Sequence, residues 1–169
     1  MNLYDLHPKP ETLTGYDRRY QIPQVAFDKA LKTYIKTHER SPELEPVIAR
    51  DSLYAYLYAQ DIRGRWPEGE PAIAKDPKFA YKYAQNVIGR RWPQGEPAIA
   101  TSPGNAYLYA QNVINGRFPE GEPAIAKDTK WAYSYARYVT KQRFPEGEPM
   151  IAKNRWYKED YERMFKVKI

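Results

Sequence analysis

The stretch Arg117-Phe118-Pro119-Glu120-Gly121-Glu122-Pro123 decides the fold of this chain. Its pattern, Arg-x-Pro-(Glu/Gln)-x-Glu-Pro, also begins at Arg40, Arg65, Arg91 and Arg143, so successive copies lie 25, 26, 26 and 26 residues apart. Between these connectors a second phrase, Ala-Tyr-x-Tyr-Ala, returns at Ala55, Ala80, Ala106 and Ala132. A fixed period of this size marks a repeat array, in which a unit cannot bury its apolar face alone and stacks on its neighbours.

Within one unit, Glu122 to Gly147, residue types set the elements. Pro123 suits the first turn of a helix, where a backbone N–H has no partner to lose, and Ala124, Ile125 and Ala126 continue it for about one turn. Asp128 reads as the N-cap of a longer helix, its carboxylate accepting a backbone N–H. Asp76-Pro77 and Ser102-Pro103 give the same signal. The long helix is predicted to run about twelve to fifteen residues before the next connector proline ends it. In the third unit Ala106, Tyr109, Ala110 and Val113 fall at i, i+3, i+4 and i+7, the predicted inward stripe, flanked by Tyr107 and Ile114. Leu57 and Asp61, Lys82 and Asn86, Leu108 and Asn112, and Ser134 and Tyr138 change from unit to unit and read as outward.

The two ends differ from the units. Met1 to Gln21 is polar and turn-rich and reads as an arm or loop. From Gln24 to about Glu39 a helix is predicted, with Phe27, Ala30, Leu31, Tyr34 and Ile35 on one face. At the other end, aligning Glu148 on Glu122 places Tyr161 on Tyr135 and Phe165 on Val139, while Ala132, Tyr133 and Ala136 become Lys158, Glu159 and Glu162. Charges stand where a further unit would pack, so this segment closes the array. The expected architecture is all-α: a right-handed short α-solenoid of tandem repeats forming one continuous domain. It comprises an N-terminal arm and capping helix (1–44), four tandem helical repeats (45–152) and a C-terminal capping helix (153–169).

Composition narrows the function. The absence of cysteine rules out disulfides and thiolate zinc sites, and fits an intracellular protein. There is no apolar run long enough to cross a bilayer, no signal-peptide pattern, and no membrane partner is expected. The net charge is +6, and residues 153–169 carry six Lys/Arg against three Asp/Glu, a weak nucleic-acid signal. His7 and His38 lie outside the regular repeats, without the close spacing and acidic helpers of a metal site. No glycine-rich phosphate loop is present. Acid pairs such as Glu68 and Glu70 recur in the connectors and read as structural. Neither a catalytic set nor a cofactor is expected.

The recurring side chains carry two readings each. Tyr56, Tyr81, Tyr107 and Tyr133 form a series that could stack bases or a ligand. They could equally pack between repeats with each hydroxyl bonded to a neighbour, which the charged cap favours. Tyr58, Tyr83, Tyr109 and Tyr135 read as core. Arg40, Arg65, Arg91, Arg117 and Arg143 could track phosphates. Equal numbers of Glu45, Glu70, Glu96, Glu122 and Glu148 favour instead a bidentate ladder locking adjacent connectors. Trp66, Trp92, Phe118 and Phe144 read as lids over helix ends. Candidate binding residues are Lys78, Lys82, Lys130, Arg137, Tyr138 and Lys141, with the basic C-terminal Lys153, Arg155, Lys158, Lys166 and Lys168; the plain alternative is a solvated face.

The phrase from Arg65 to Ala84, Arg-Trp-Pro-Glu-Gly-Glu-Pro-Ala-Ile-Ala-Lys-Asp-Pro-Lys-Phe-Ala-Tyr-Lys-Tyr-Ala, resembles tandem repeats in uncharacterised proteins of tailed bacteriophages. The opening Met1-Asn2-Leu3-Tyr4-Asp5-Leu6-His7 is similar to starts in the same proteins. The resemblance covers most of residues 40–169 and implies a phage accessory protein acting in a host bacterial cytoplasm. The resulting expectation is a non-enzymatic protein-binding scaffold that inhibits or redirects a host enzyme or defence complex, its partner a host or phage protein. The alternative is a nucleic-acid or nucleotide binder using the basic, tyrosine-rich surface. A self-assembling structural protein is a third reading, which the charged cap disfavours.

Overall fold

A computed structural model describes residues 18–169. The arm predicted for residues 1–21 lies outside the described residues except for a 3₁₀ turn at Arg18–Gln21. Among the described residues there is no strand, and the chain is an array of short and long helices. Helix α1 spans Pro23–Thr37. The short helices are α2 (Glu45–Ile48), α4 (Glu70–Ile73), α6 (Glu96–Ile99), α8 (Glu122–Ile125) and α10 (Glu148–Ile151). The long ones are α3 (Ser52–Tyr58), α5 (Pro77–Tyr83), α7 (Pro103–Tyr109), α9 (Thr129–Ser134) and the terminal α11 (Arg155–Phe165). Helices α3, α5, α7 and α9 each pack on the next short helix and on the next long one, so one thin core runs the length of the stack.

Local chemistry explains the boundaries. Asp51 and Asp76 each accept two backbone N–H bonds, from Leu53 and Tyr54 and from Lys78 and Phe79, and Asp128 accepts one from Trp131. Ser102 stands at the same place but makes no cap bond; its hydroxyl accepts from the Asn105 amide instead. Ser102→Asp should therefore give α7 the carboxylate cap its neighbours have and stabilise the fold by roughly 0.5–1 kcal/mol, read as a rise in thermal midpoint.

The far end of each long helix departs from a regular 3.6-residue register. α3, α5, α7 and α9 continue as π-helical turns over Ala59–Arg63, Ala84–Ile88, Ala110–Ile114 and Tyr135–Thr140. Gly64 N–H bonds Ala59 C=O and Gly89 N–H bonds Ala84 C=O, five residues back. The chain then turns at a positive φ on Gly64, Gly89, Asn115 and Lys141. The wider turn rotates the helix end, which is why Val113 is only half-buried while Ala106, Tyr109 and Ala110 are fully enclosed.

Two further expectations need correction. On α1 the buried stripe is Ala26, Phe27 and Ala30, and Ile35 is 68% exposed. At 100° per residue Ile35 lies about 140° around the helix from Ala30, outside the stripe. Trp66, Trp92, Phe118 and Phe144 are not lids but buried wedges: each ring packs against the preceding unit's core tyrosine.

Candidate functional site

The repeated polar centre is built around the second tyrosine of each Ala-Tyr-x-Tyr-Ala phrase. Tyr109 donates to Glu96 Oε1 at 2.7 Å and accepts from the Trp92 N–H at 2.8 Å. Glu96 in turn receives both arms of Arg91, Nε and Nη2, each at 2.9 Å. The same set joins Tyr83 to Glu70 and Arg65, Tyr135 to Glu122 and Arg117, and, in the cap, Tyr161 to Glu148 and Arg143. In the first unit Tyr58 donates to Glu45, which pairs with Arg40. The Arg hydrogen bonds hold Glu96, Glu122 and Glu148 below the usual carboxylate range despite burial. Burial pushes Tyr83 and Tyr161 up to about 12.

This geometry corrects the ladder expected between adjacent connectors. Each Arg–Glu pair closes its own connector, five residues apart in sequence. A guanidinium fork reaches across one tight turn, whereas neighbouring units are separated by a helix packing distance of about 8–10 Å. Unit is joined to unit by rings instead: Tyr58 to Trp66, Tyr83 to Trp92, Tyr109 to Phe118 and Tyr135 to Phe144, at centroid distances of 4.8, 4.9, 5.2 and 5.2 Å.

The other tyrosines, Tyr56, Tyr81, Tyr107 and Tyr133, are buried between units. Asn86 donates to Tyr56 and Asn112 to Tyr81, both at 2.8 Å. Tyr107 packs at a tilt against Trp131 of the next unit at 5.2 Å, and Tyr133 against Tyr157 of α11 at 4.8 Å. The positions read as outward are therefore partly engaged. Asn86 and Asn112 reach back to the preceding unit, and Leu57, Lys82, Leu108 and Ser134 are half-buried, because the next long helix lies alongside.

The series breaks in the fourth unit. Where the second and third units have Gln85-Asn86 and Gln111-Asn112, the fourth has Arg137-Tyr138. Arg137 pairs with Asp160 at 2.5 Å, and Tyr133 donates to the same carboxylate at 2.5 Å. The Arg137 guanidinium lies 5.7 Å from the Tyr133 ring and 5.4 Å from that of Tyr138, which is 51% exposed. Trp156, 63% exposed, stands 5.8 Å from Tyr133. Trp156, Tyr133, Arg137 and Tyr138 thus form one contiguous cluster. Trp156 and Asp160 escaped the sequence reading. The available signal was that Trp156 occupies the place held by Leu53, Lys78, Gly104 and Lys130 in earlier units.

The remaining candidates do not converge on that cluster. Lys78 and Lys130 are exposed at the starts of α5 and α9, with Lys130 4.4 Å over Trp131. Lys82 lies 5.9 Å from the Tyr56 ring. Lys141 and Lys166 are the positive-φ residues ending α9's π turn and α11. Arg155 pairs with Glu159, and Lys158 and Lys168 both face Glu162, whose carboxylate also accepts the Ile169 N–H. Lys153 is exposed. Among the described residues no three His, Asp or Glu side chains gather to hold a metal ion, and no helix is long and apolar enough to cross a membrane. No family model, no curated protein and no solved structure matches this chain.

Proposed function

We propose that the protein is a non-enzymatic protein-binding scaffold whose partner docks on the cluster of Trp156, Arg137 and Tyr138. The observation that carries this reading is the exposure of Trp156 and Tyr138 around half-buried Arg137, at the place where the repeat is interrupted. These are the residue types that dominate protein-binding energetics. The patch is also held in place before any partner arrives: Asp160 anchors Arg137, and buried Tyr133 supports it from beneath. A pre-ordered surface loses little side-chain entropy on association. The resemblance to bacteriophage repeat proteins makes the partner a host enzyme or defence complex, or a phage protein, met in the bacterial cytoplasm.

The test is affinity capture from bacterial lysate with high-salt washes, comparing the native protein with Trp156→Ser and Tyr138→Ser. The native chain should retain one protein in stoichiometric amount. Each substitution should weaken retention about 30-fold, the equivalent of a hot-spot loss near 2 kcal/mol. Equal recovery by all three proteins, or no stoichiometric protein with the native chain, overturns the reading.

A further inference from the structure

A second surface adjoins the aromatic cluster at Trp156 and carries a different chemistry. It is the edge where each short helix turns into its long helix. Arg50, Lys75, Lys127 and Lys153 occupy the same place in their units, just after α2, α4, α8 and α10, and all four are exposed. Lys78 and Lys130 follow three residues later at the first turns of α5 and α9, also exposed. None of these six cations forms an ion pair among the described residues. The carboxylates on the edge, Asp51, Asp76 and Asp128, are turned onto backbone N–H groups as helix caps. Six cations against three carboxylates leave +3 on this edge, half of the chain's +6. By contrast, the connector arginines at the other end of the short helices are each neutralised by their own glutamate.

The third unit interrupts the row, with Thr101 and Gly104 in place of the two cations. Gly104 leaves room for the neighbouring unit's Trp131, whose ring would lie 3.2 Å from an added Cβ. The cations therefore form two clusters, Lys75 with Lys78 and Lys127 with Lys130, two units apart. At about 8–10 Å per packed helix that separation is about 16–20 Å. It suits two phosphate rows flanking a major groove about 12 Å wide, with the uncharged third unit over the groove.

We propose that this basic edge binds the phosphodiester backbone of double-stranded DNA. Lysines spaced by the repeat complement a polymer whose charges are themselves evenly spaced. From Arg50 to Lys130 the edge has no exposed ring for a single strand to stack on, Trp156 standing only in the last unit. It also has no large exposed apolar side chain between Arg50 and Lys153 to insert into a lipid surface. Contacts from lysine to phosphate position a duplex without reading its sequence.

The experiment is fluorescence anisotropy with a mixed-sequence duplex of about 20 base pairs, titrated between about 50 and 200 mM salt. With six phosphate contacts, affinity should fall by roughly 10³-fold over that range. Lys75→Gln/Lys78→Gln/Lys127→Gln/Lys130→Gln should weaken binding at low salt at least about 100-fold and flatten the salt dependence by three to four contacts' worth. Lys32→Gln/Lys36→Gln/Arg90→Gln/Lys141→Gln, which removes the same charge elsewhere, should stay within tenfold of the native protein. Circular dichroism on both variants checks that the fold survives. Trp156→Ser/Tyr138→Ser should keep duplex binding even where it loses the protein partner, which separates this proposal from the preceding one. An equal loss in the control variant, loss in Trp156→Ser/Tyr138→Ser, or tighter binding to a single strand of the same length overturns the assignment. Binding to phosphatidylserine vesicles without binding to duplex does so as well.

Discussion

Raising the pH from about 9 to about 12 should unfold the array in one step, because its latches are fully buried tyrosines. In an unfolded chain tyrosine ionises near pH 10. Burial, before any other cause, pushes Tyr83 and Tyr161 up to about 12 and raises Tyr58, Tyr109 and Tyr135 in the same direction. A folded value above the unfolded one gives a contribution complete below pH 10 and lost as the pH rises through the folded value. At pH 11 Tyr83 and Tyr161 each forfeit about 1.4 kcal/mol. Five such groups together approach the roughly 5–15 kcal/mol that holds a typical domain. Far-ultraviolet circular dichroism and tyrosinate absorbance should change together between about pH 10 and 12. Ionisation of these five core tyrosines well before the helices are lost would show that the latches are open. At the acid end the sign reverses. Glu96, Glu122 and Glu148 have lowered values, so their contribution is present above the unfolded value of about 4.3 and is lost as the pH falls through the folded ones.

The second large effect is a coupled exchange of volume inside the connector. In the second unit Trp66 fills the core and Gly69 leaves it room, since a Cβ on Gly69 would stand 2.4 Å from the Trp66 ring. In the first unit the same two places hold Ser41 and Leu44, both buried. The bulk has moved from one side of the turn to the other. Trp66→Ser alone empties a fully enclosed site and should cost about 3–5 kcal/mol. Gly69→Leu alone drives a side chain into the Trp66 ring and should cost about 3 kcal/mol or more. The double variant should cost less than half of the two single losses added, so the pair should be strongly non-additive in denaturant unfolding. Additive losses would mean that the two sites do not share one space. Trp66 and Trp92 also bury an indole N–H with no partner, which the Phe118 and Phe144 versions of the wedge avoid.

Periodicity made much of this protein readable in advance. The 26-residue step, the prolines at the short-helix starts and the aspartate caps are local signals, and they placed α2 to α10 correctly because each follows from the backbone chemistry of a few adjacent residues. The same alignment placed a helix at the C-terminal end of the given chain, where α11 stands. Other features were not local. The π turns come after a phrase indistinguishable from ordinary helix. The Arg–Glu series has the same spacing whether it closes one connector or bridges two. Asn86 and Asn112 look outward on an isolated helix and bond backward only because another helix lies beside them. The cluster of Trp156, Tyr133, Arg137 and Tyr138 joins residues of two helices and depends on Asp160, to which no spacing rule points.

By itself, then, the sequence determined a stack of helical units, the starts of its helices and its core tyrosines, since those depend on residue types within one turn or one period. Tertiary structure alone decided which polar groups meet. It closed each arginine onto its own glutamate, turned the connector aromatics into wedges, and left Trp156 and Tyr138 uncovered. Partner choice among equally spaced residues is settled by the distance between packed helices, and that distance is a property of the assembled stack rather than of any segment of chain.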